Sequence, residues 1–119
     1  MSKDRKIAVI IVILVLLLAS GCLRPRPHLR IIEDTWSKGY IEDLGWVALV
    51  EGRAENDGSV RLEWAEVRAE VYDADDSILG ISSDFTKDLG RYEVWNFSIH
   101  YQGETEPGSY EVSIGVLIY

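Results

Sequence analysis

Val94-Trp95-Asn96-Phe97-Ser98-Ile99-His100-Tyr101 sets Trp95, Phe97, Ile99 and Tyr101 against Val94, Asn96, Ser98 and His100. Alternation with a period of two is the signature of a β-strand with one face buried, whereas a helix would scatter the four large side chains around its circumference. Trp95 and Phe97, each able to bury roughly 150–250 Å² of surface, are therefore assigned to the core. The same rhythm recurs upstream. Trp46, Ala48, Val50, Gly52 and Ala54 alternate with Val47, Leu49, Glu51, Arg53 and Glu55, and the run stops at the turn cluster Asn56-Asp57-Gly58-Ser59. Val60, Leu62 and Trp64 share one parity and Ala65, Val67, Ala69 and Val71 the other. A strand through this region needs a bulge near Trp64-Ala65 to keep one face inward, and it stops at Tyr72-Asp73-Ala74-Asp75-Asp76.

Away from these runs the pattern thins. Ser77 to Ser83 reads as a shorter returning strand, and Phe85 to Gly90 as a loop. Gln102 to Gly108 is a turn by composition. A closing strand then places Tyr110, Val112, Ile114, Val116 and Ile118 on one side. With Leu29 to Asp34 as a first strand, the count is six to seven. Turns at this spacing predict an all-β fold for residues 29–119, an Ig-like or fibronectin-like antiparallel β-sandwich.

The N-terminus is an address. Met1 to Lys6 carries three basic residues, Ile7 to Leu18 is an unbroken run of twelve apolar ones, and Ala19-Ser20-Gly21-Cys22 follows. As a helix the apolar run spans about 20 Å, short of the ~30 Å hydrocarbon core, so residues 1–21 are read as a signal segment rather than a permanent span. Small residues directly before the chain's only cysteine resemble the lipobox of bacterial and archaeal lipoproteins. In that family the thiol takes a diacylglyceryl group and cleavage leaves the cysteine as the new N-terminus. Ala19 stands where the family usually has Leu. The resemblance implies lipid attachment at Cys22 and a domain held at the outer face of the cytoplasmic membrane, the cell surface. An uncleaved anchor is the alternative. Residues 22–28 then form a Pro-rich spacer, since Pro25 and Pro27 exclude a helix, and six such residues reach about 20 Å. Arg24, Arg26 and Arg30 are placed either to meet anionic head groups or to keep the linker soluble.

A second resemblance covers about Leu44 to Tyr101. Val50-Glu51-Gly52-Arg53-Ala54-Glu55-Asn56, Val67-Arg68-Ala69-Glu70-Val71-Tyr72-Asp73, Leu79-Gly80 and Trp95-Asn96-Phe97-Ser98-Ile99 together resemble the FxLYD domain. These are small Ig-like modules of secreted and lipid-anchored proteins in bacteria and archaea. Ala69 replaces the motif's Phe and Val71 its Leu, while Tyr72-Asp73 and the Gly52/Asn56 pair are kept. Ser77 follows Asp76 where a Gly is usual. The resemblance implies a fold and a location, and brings no catalytic residue with it.

Charge narrows the partners. The 119 residues hold 12 Lys+Arg against 20 Asp+Glu, a net −8, and nineteen of the acids but nine of the bases lie from Cys22 onward. A phosphate backbone is repelled by such a domain, so nucleic acid is excluded as a partner. One cysteine and two histidines exclude a disulfide framework and leave little for a zinc centre. Asp73, Asp75, Asp76 and Asp84 imitate the spacing of a calcium loop, but Ile78 stands where that loop needs Gly, so capping of a hairpin turn by Asp73 and Asp75 is the favoured reading. Trp36, Tyr40 and Tyr92 fall outside the clean inward pattern and are the candidates for a contact patch. Asn96-Phe97-Ser98 is a glycosylation sequon on an outward Asn96. His28 and His100 lack a neighbouring nucleophile and acidic orienter. The expectation is a non-catalytic, cofactor-free module bound to membrane lipid through Cys22 and to a protein or envelope component. A small-ligand or Ca²⁺-binding surface domain, using the acidic loop after Tyr72 or exposed aromatics, is the alternative.

Overall fold

The computed structural model describes residues 24–119, and residues 1–21, expected to be a signal segment, and Cys22 lie outside the described residues. Six strands follow in order: β1 Arg30–Ile41, β2 Gly45–Glu55, β3 Leu62–Tyr72, β4 Ile78–Leu89, β5 Val94–Gly103 and β6 Ser109–Ile118. They form two three-stranded antiparallel sheets, β1-β2-β5 (sheet A) and β4-β3-β6 (sheet B). The sheets pack face to face as a β-sandwich. Ala48, Val50, Ala54, Phe97 and Ile99 from sheet A meet Ala65, Val67, Ala69 and Val71 from sheet B, all buried. Small side chains on the central strands make room for the large ones of β5. At Gly52 a methyl group would strike the Phe97 ring and the Glu33 carbonyl, which is why this inward position of β2 has no side chain.

Three elements differ from the sequence reading. β1 runs to Ile41 rather than ending near Asp34, because its register against β2 shifts between Ile31 and Glu33 and moves the inward parity from Ile31 to Trp36. β6 also changes face. Ala65 and Val67 of β3 oppose Leu117 and Ile114, so β6 carries one extra residue at Gly115-Val116. Leu117 therefore packs against the core, while Val116 and Ile118 are exposed. The expected change of parity in β3 is present, since Leu62 and Ala65, three residues apart, are both fully buried, but the register slip lies between Ala65 and Val67. Finally, β4 continues through Phe85 to Leu89, leaving only Gly90–Glu93 as loop.

The two ends of the sandwich are built differently. At the entry end residues 24–29 arrive beside the β2–β3 and β4–β5 loops. The far end collects the β1–β2, β3–β4 and β5–β6 connections. Asn56, fully buried, organises the entry end. Its Nδ2–H donates to the carbonyls of Val60 at 2.9 Å and Leu89 at 3.0 Å, and its Oδ1 accepts from the Gly58 N–H at 3.1 Å. Its backbone pairs with Tyr92 and Glu93. Every polar group of this buried amide thus holds a different piece of chain.

Candidate functional site

β4 has its polarity inside out. Cross-strand partners share a face, so the partners of buried Ala65, Val67, Ala69 and Val71 give the inward row: Thr86, Asp84, Ser82 and Gly80. The outward row holds Ile81, Ser83, Phe85 and Lys87. The four inward residues are small or polar because β4 is an edge strand lying beside β5, where little depth is left to fill. A methyl group at Gly80 would come into van der Waals contact with the Tyr101 ring. Asp84 turns its carboxylate to the neighbouring sheet edge, where Oδ2 accepts the Ser98 N–H at 3.0 Å and Oδ1 the Phe85 N–H at 2.9 Å. A polar inward side chain thereby closes this side of the sandwich without a continuous ladder.

The outward row presents apolar surface to solvent. Phe85 is 50% exposed and stacks on Trp64 of β3, ring centroids 4.1 Å apart and planes within 10°. Lys87 lies 6.0 Å from the Trp64 ring centroid. Across β3, Ile118 pairs with Trp64 and is 48% exposed, and the extra residue of β6 turns Val116 outward beside it. Ile81, 59% exposed, extends the surface along β4. Glu66 and Arg68, joined at 2.6 Å, run through this surface on β3, with Glu66 opposite Phe85 and Glu70 opposite Ile81. Sequence reading missed Phe85 and Trp64, having placed one in a loop and the other on the core parity. The available signal was the period-two spacing of Ile81, Ser83, Phe85 and Lys87 against Gly80, Ser82, Asp84 and Thr86.

The residues named from sequence do not gather in one place. Trp36 is half-buried and tilts against Tyr110 with centroids 5.0 Å apart, so it belongs largely to the core edge. Tyr40, exposed, meets Trp46 edge-on near the far end. Tyr92 is exposed at the opposite, entry end with φ at 68°, beneath the Arg91 guanidinium at 4.7 Å. Trp36, Tyr40 and Tyr92 therefore form no common patch, because the first two lie along β1 and the third in the β4–β5 loop. Asn96 is exposed on the outer face of sheet A opposite Arg53.

The four aspartates of the acidic stretch are likewise separated. Asp73 caps the β3–β4 turn: its Oδ1 accepts the N–H groups of Asp75 and Ser77, each at 2.9 Å, and Asp76 adopts φ 61°. Asp84 lies well along β4, committed to Ser98. Among the described residues no three His, Cys, Asp or Glu side chains converge to hold a metal ion. Two tyrosines are electrostatically perturbed. Tyr72 donates its O–H to Glu70, which together with slight burial and the charges of Glu70 and Glu111 pushes its pKa up to about 12. Tyr110 donates to Asp34 at 2.5 Å and is pushed up to about 12 by that bond, then by burial and the same charge.

No family model, no curated protein and no solved structure matches the chain.

Proposed function

We propose that this chain is an extracytoplasmic lipoprotein, lipid-attached through Cys22 at the outer face of the cytoplasmic membrane, whose acidic Ig-like domain is a non-catalytic module for binding a protein or envelope component. The observation that carries the interaction reading is the outer face of sheet B. A strand that turns Phe85 and Ile81 to solvent and Asp84 inward leaves its apolar side for something outside the domain. The polar groups that sequence reading weighed for chemistry are occupied with structure: Asp73 caps a turn, Asp84 ties two sheet edges, and His28 is held by Asp57. Kinship with FxLYD modules is part of the proposal. It is supported by what the shared residues do, since Gly52 admits the Phe97 ring, Asn56 organises the entry end and Asp73 closes the β3–β4 turn.

One experiment tests both halves of the reading. The full chain is expressed in a lipoprotein-processing host with a photo-crosslinking residue at position 85 or, as control, at Glu51 on the outer face of sheet A, with and without Cys22→Ser. The expected result is a membrane-extracted mass of Cys22 to Tyr119 plus a diacylglyceryl group, and a discrete adduct from position 85 alone. A full-length unmodified mass removes the lipoprotein assignment. Equal or absent adducts at the two positions remove sheet B as the binding face.

A further inference from the structure

The cations of this domain divide into those paired with a carboxylate and those that are not. Lys38 toward the far end, Arg68 in mid-strand and Arg53 near the entry end of β2 are each paired with a carboxylate: Glu106, Glu66 and Glu33 respectively. Arg30 is held by Glu55 at 2.9 Å with Asp57 4.0 Å away, so it is already committed at the entry end. Among the described residues, Arg24, Arg26, Arg61, Lys87 and Arg91 have no carboxylate partner within ion-pair range. All five sit at or near the entry end.

The loops divide by end. Those of the entry end, 24–29, 56–61 and 90–93, carry four arginines against Asp57 and Glu93. Those of the far end, 42–44, 73–77 and 104–108, carry seven carboxylates and no basic residue. A domain of this charge is repelled as a whole by an anionic surface, yet its repulsion is concentrated at one end. The opposite end is the one from which the chain leads back to Cys22.

Arg26 is also not part of a free spacer. Its N–H donates to Ser59 Oγ at 2.9 Å and its carbonyl accepts the Ser59 N–H at 3.0 Å, while His28 Nδ1 pairs with Asp57. A methyl group at Gly58 would strike the Arg26 carbonyl, so the absence of a side chain there is what lets the chain lie down on the β2–β3 loop. Arg26, the first fixed point, is then only four positions from Cys22, a reach of about 12 Å of extended chain. That is about one and a half Debye lengths at physiological ionic strength, near enough for the entry end to feel a charged surface.

Between the docked chain and the β4–β5 loop lies a cleft of about 500 Å³ lined by Arg26, His28, Ser59 and Arg91, with Asp57 on its wall. Asp57 is turned toward His28 and Arg30. Ser59 Oγ, already accepting from Arg26, retains its own proton to donate. Two guanidinium groups and a hydroxyl around one opening match the oxygens of a phosphodiester, while the His28 ring on the same wall is held by Asp57. Tyr92, exposed beside Arg91, has the amphipathic ring favoured at the head-group level of a bilayer.

We infer that the Arg26–His28–Ser59–Arg91 cleft receives the phosphate of an anionic phospholipid head group and so stands the domain end-on, with its acidic loops directed away from the membrane. The inference rests on the anchored reading above, and it names the lipid contact that reading leaves open. Each arginine brought to an anionic surface contributes about a five-fold factor to its occupancy. The cleft offers two.

The test uses the full chain in lipid nanodiscs, either phosphatidylcholine alone or phosphatidylcholine with phosphatidylglycerol, followed by amide hydrogen exchange. In anionic discs, amides of 57–59 and 90–93 exchange roughly five- to twenty-five-fold more slowly than in neutral discs, for one or both arginines engaged, and the difference falls with added salt. Those of 73–77 are unchanged. The double substitution Arg26→Ser with Arg91→Ser abolishes the difference while leaving exchange within β3 as in the parent, which separates lost contact from lost fold. Equal exchange in the two lipids, with the chain retained in the discs, overturns the inference and spares the anchor. A chain not retained by either disc overturns both. Protection reproduced in neutral discs by inorganic phosphate alone assigns the cleft to a free anion and overturns the head-group assignment.

Discussion

The two ends of this sandwich solve the same problem, closing strands with loops, by opposite means. At the far end the β3–β4 turn is closed by a neighbour in sequence, while Gly108 N–H pairs with the Tyr72 carbonyl beside it. Asp73 satisfies the turn that follows it, and its carboxylate is in reach of water throughout. At the entry end a single buried amide, Asn56, joins residues up to 37 positions apart in sequence, from its own loop to Glu93. Local polar closure tolerates change because solvent replaces a lost bond. Buried closure does not, because nothing replaces it.

Three substitutions sharpen that contrast. Asn56→Ala leaves the Val60 and Leu89 carbonyls and the Gly58 N–H without partners in a site closed to water, and is expected to cost about 3 kcal/mol. The shift in urea midpoint of the full chain measures it. Asp73→Ala removes the acceptor for two exposed N–H groups, and about 1 kcal/mol is expected by the same measurement. Similar losses at the two positions would break the comparison.

The smallest effect is expected along the free edge between β1 and β6. Tyr110→Phe removes the bond to Asp34, whose partly exposed setting limits the loss to about 1 kcal/mol or less. Its pH dependence has a definite sign. The tyrosine is neutral when protonated, and its pKa is raised from 10.0 to about 12 in the fold. Its contribution is therefore complete below pH 10 and disappears as pH rises through about 12. Parent and variant should differ in stability at pH 8 and converge above pH 12. A spectrophotometric titration should show one fewer late-ionising tyrosine in the variant, and a parent whose Tyr110 ionises near 10 would refute the assigned bond.

The strands legible in the sequence were those with one apolar and one polar face. β2 and β5 qualify because they cover the core with Val50, Phe97 and Ile99 and turn Glu51, Arg53 and Asn96 to water. β4 was cut short because its apolar residues face outward and its inward row is polar, so hydrophobicity and burial run in opposite senses along it. The shifts in β1 and β6 hid the rest. One extra residue reverses every later side chain, so Val116 and Ile118 continue an apolar pattern while leaving the core. Of the candidate surface, Phe85 and Lys87 fall in the segment read as a loop, whereas Trp64, Val116 and Ile118 fall in segments read as strand but on the parity assigned to the core.

Alternating polarity and turn chemistry are local properties, and from them the amino-acid sequence alone determined an all-β sandwich. Which loops share an end, and therefore which charges stand together, depends on strand pairing between residues far apart in the chain. Arg26 and Arg91 are 65 positions apart in sequence yet line one cleft, and Trp64 and Phe85 stack only because β3 and β4 are in register. Antiparallel register and the packing of one sheet on the other decided those meetings, since pairing energy is realised only after the chain has folded back on itself.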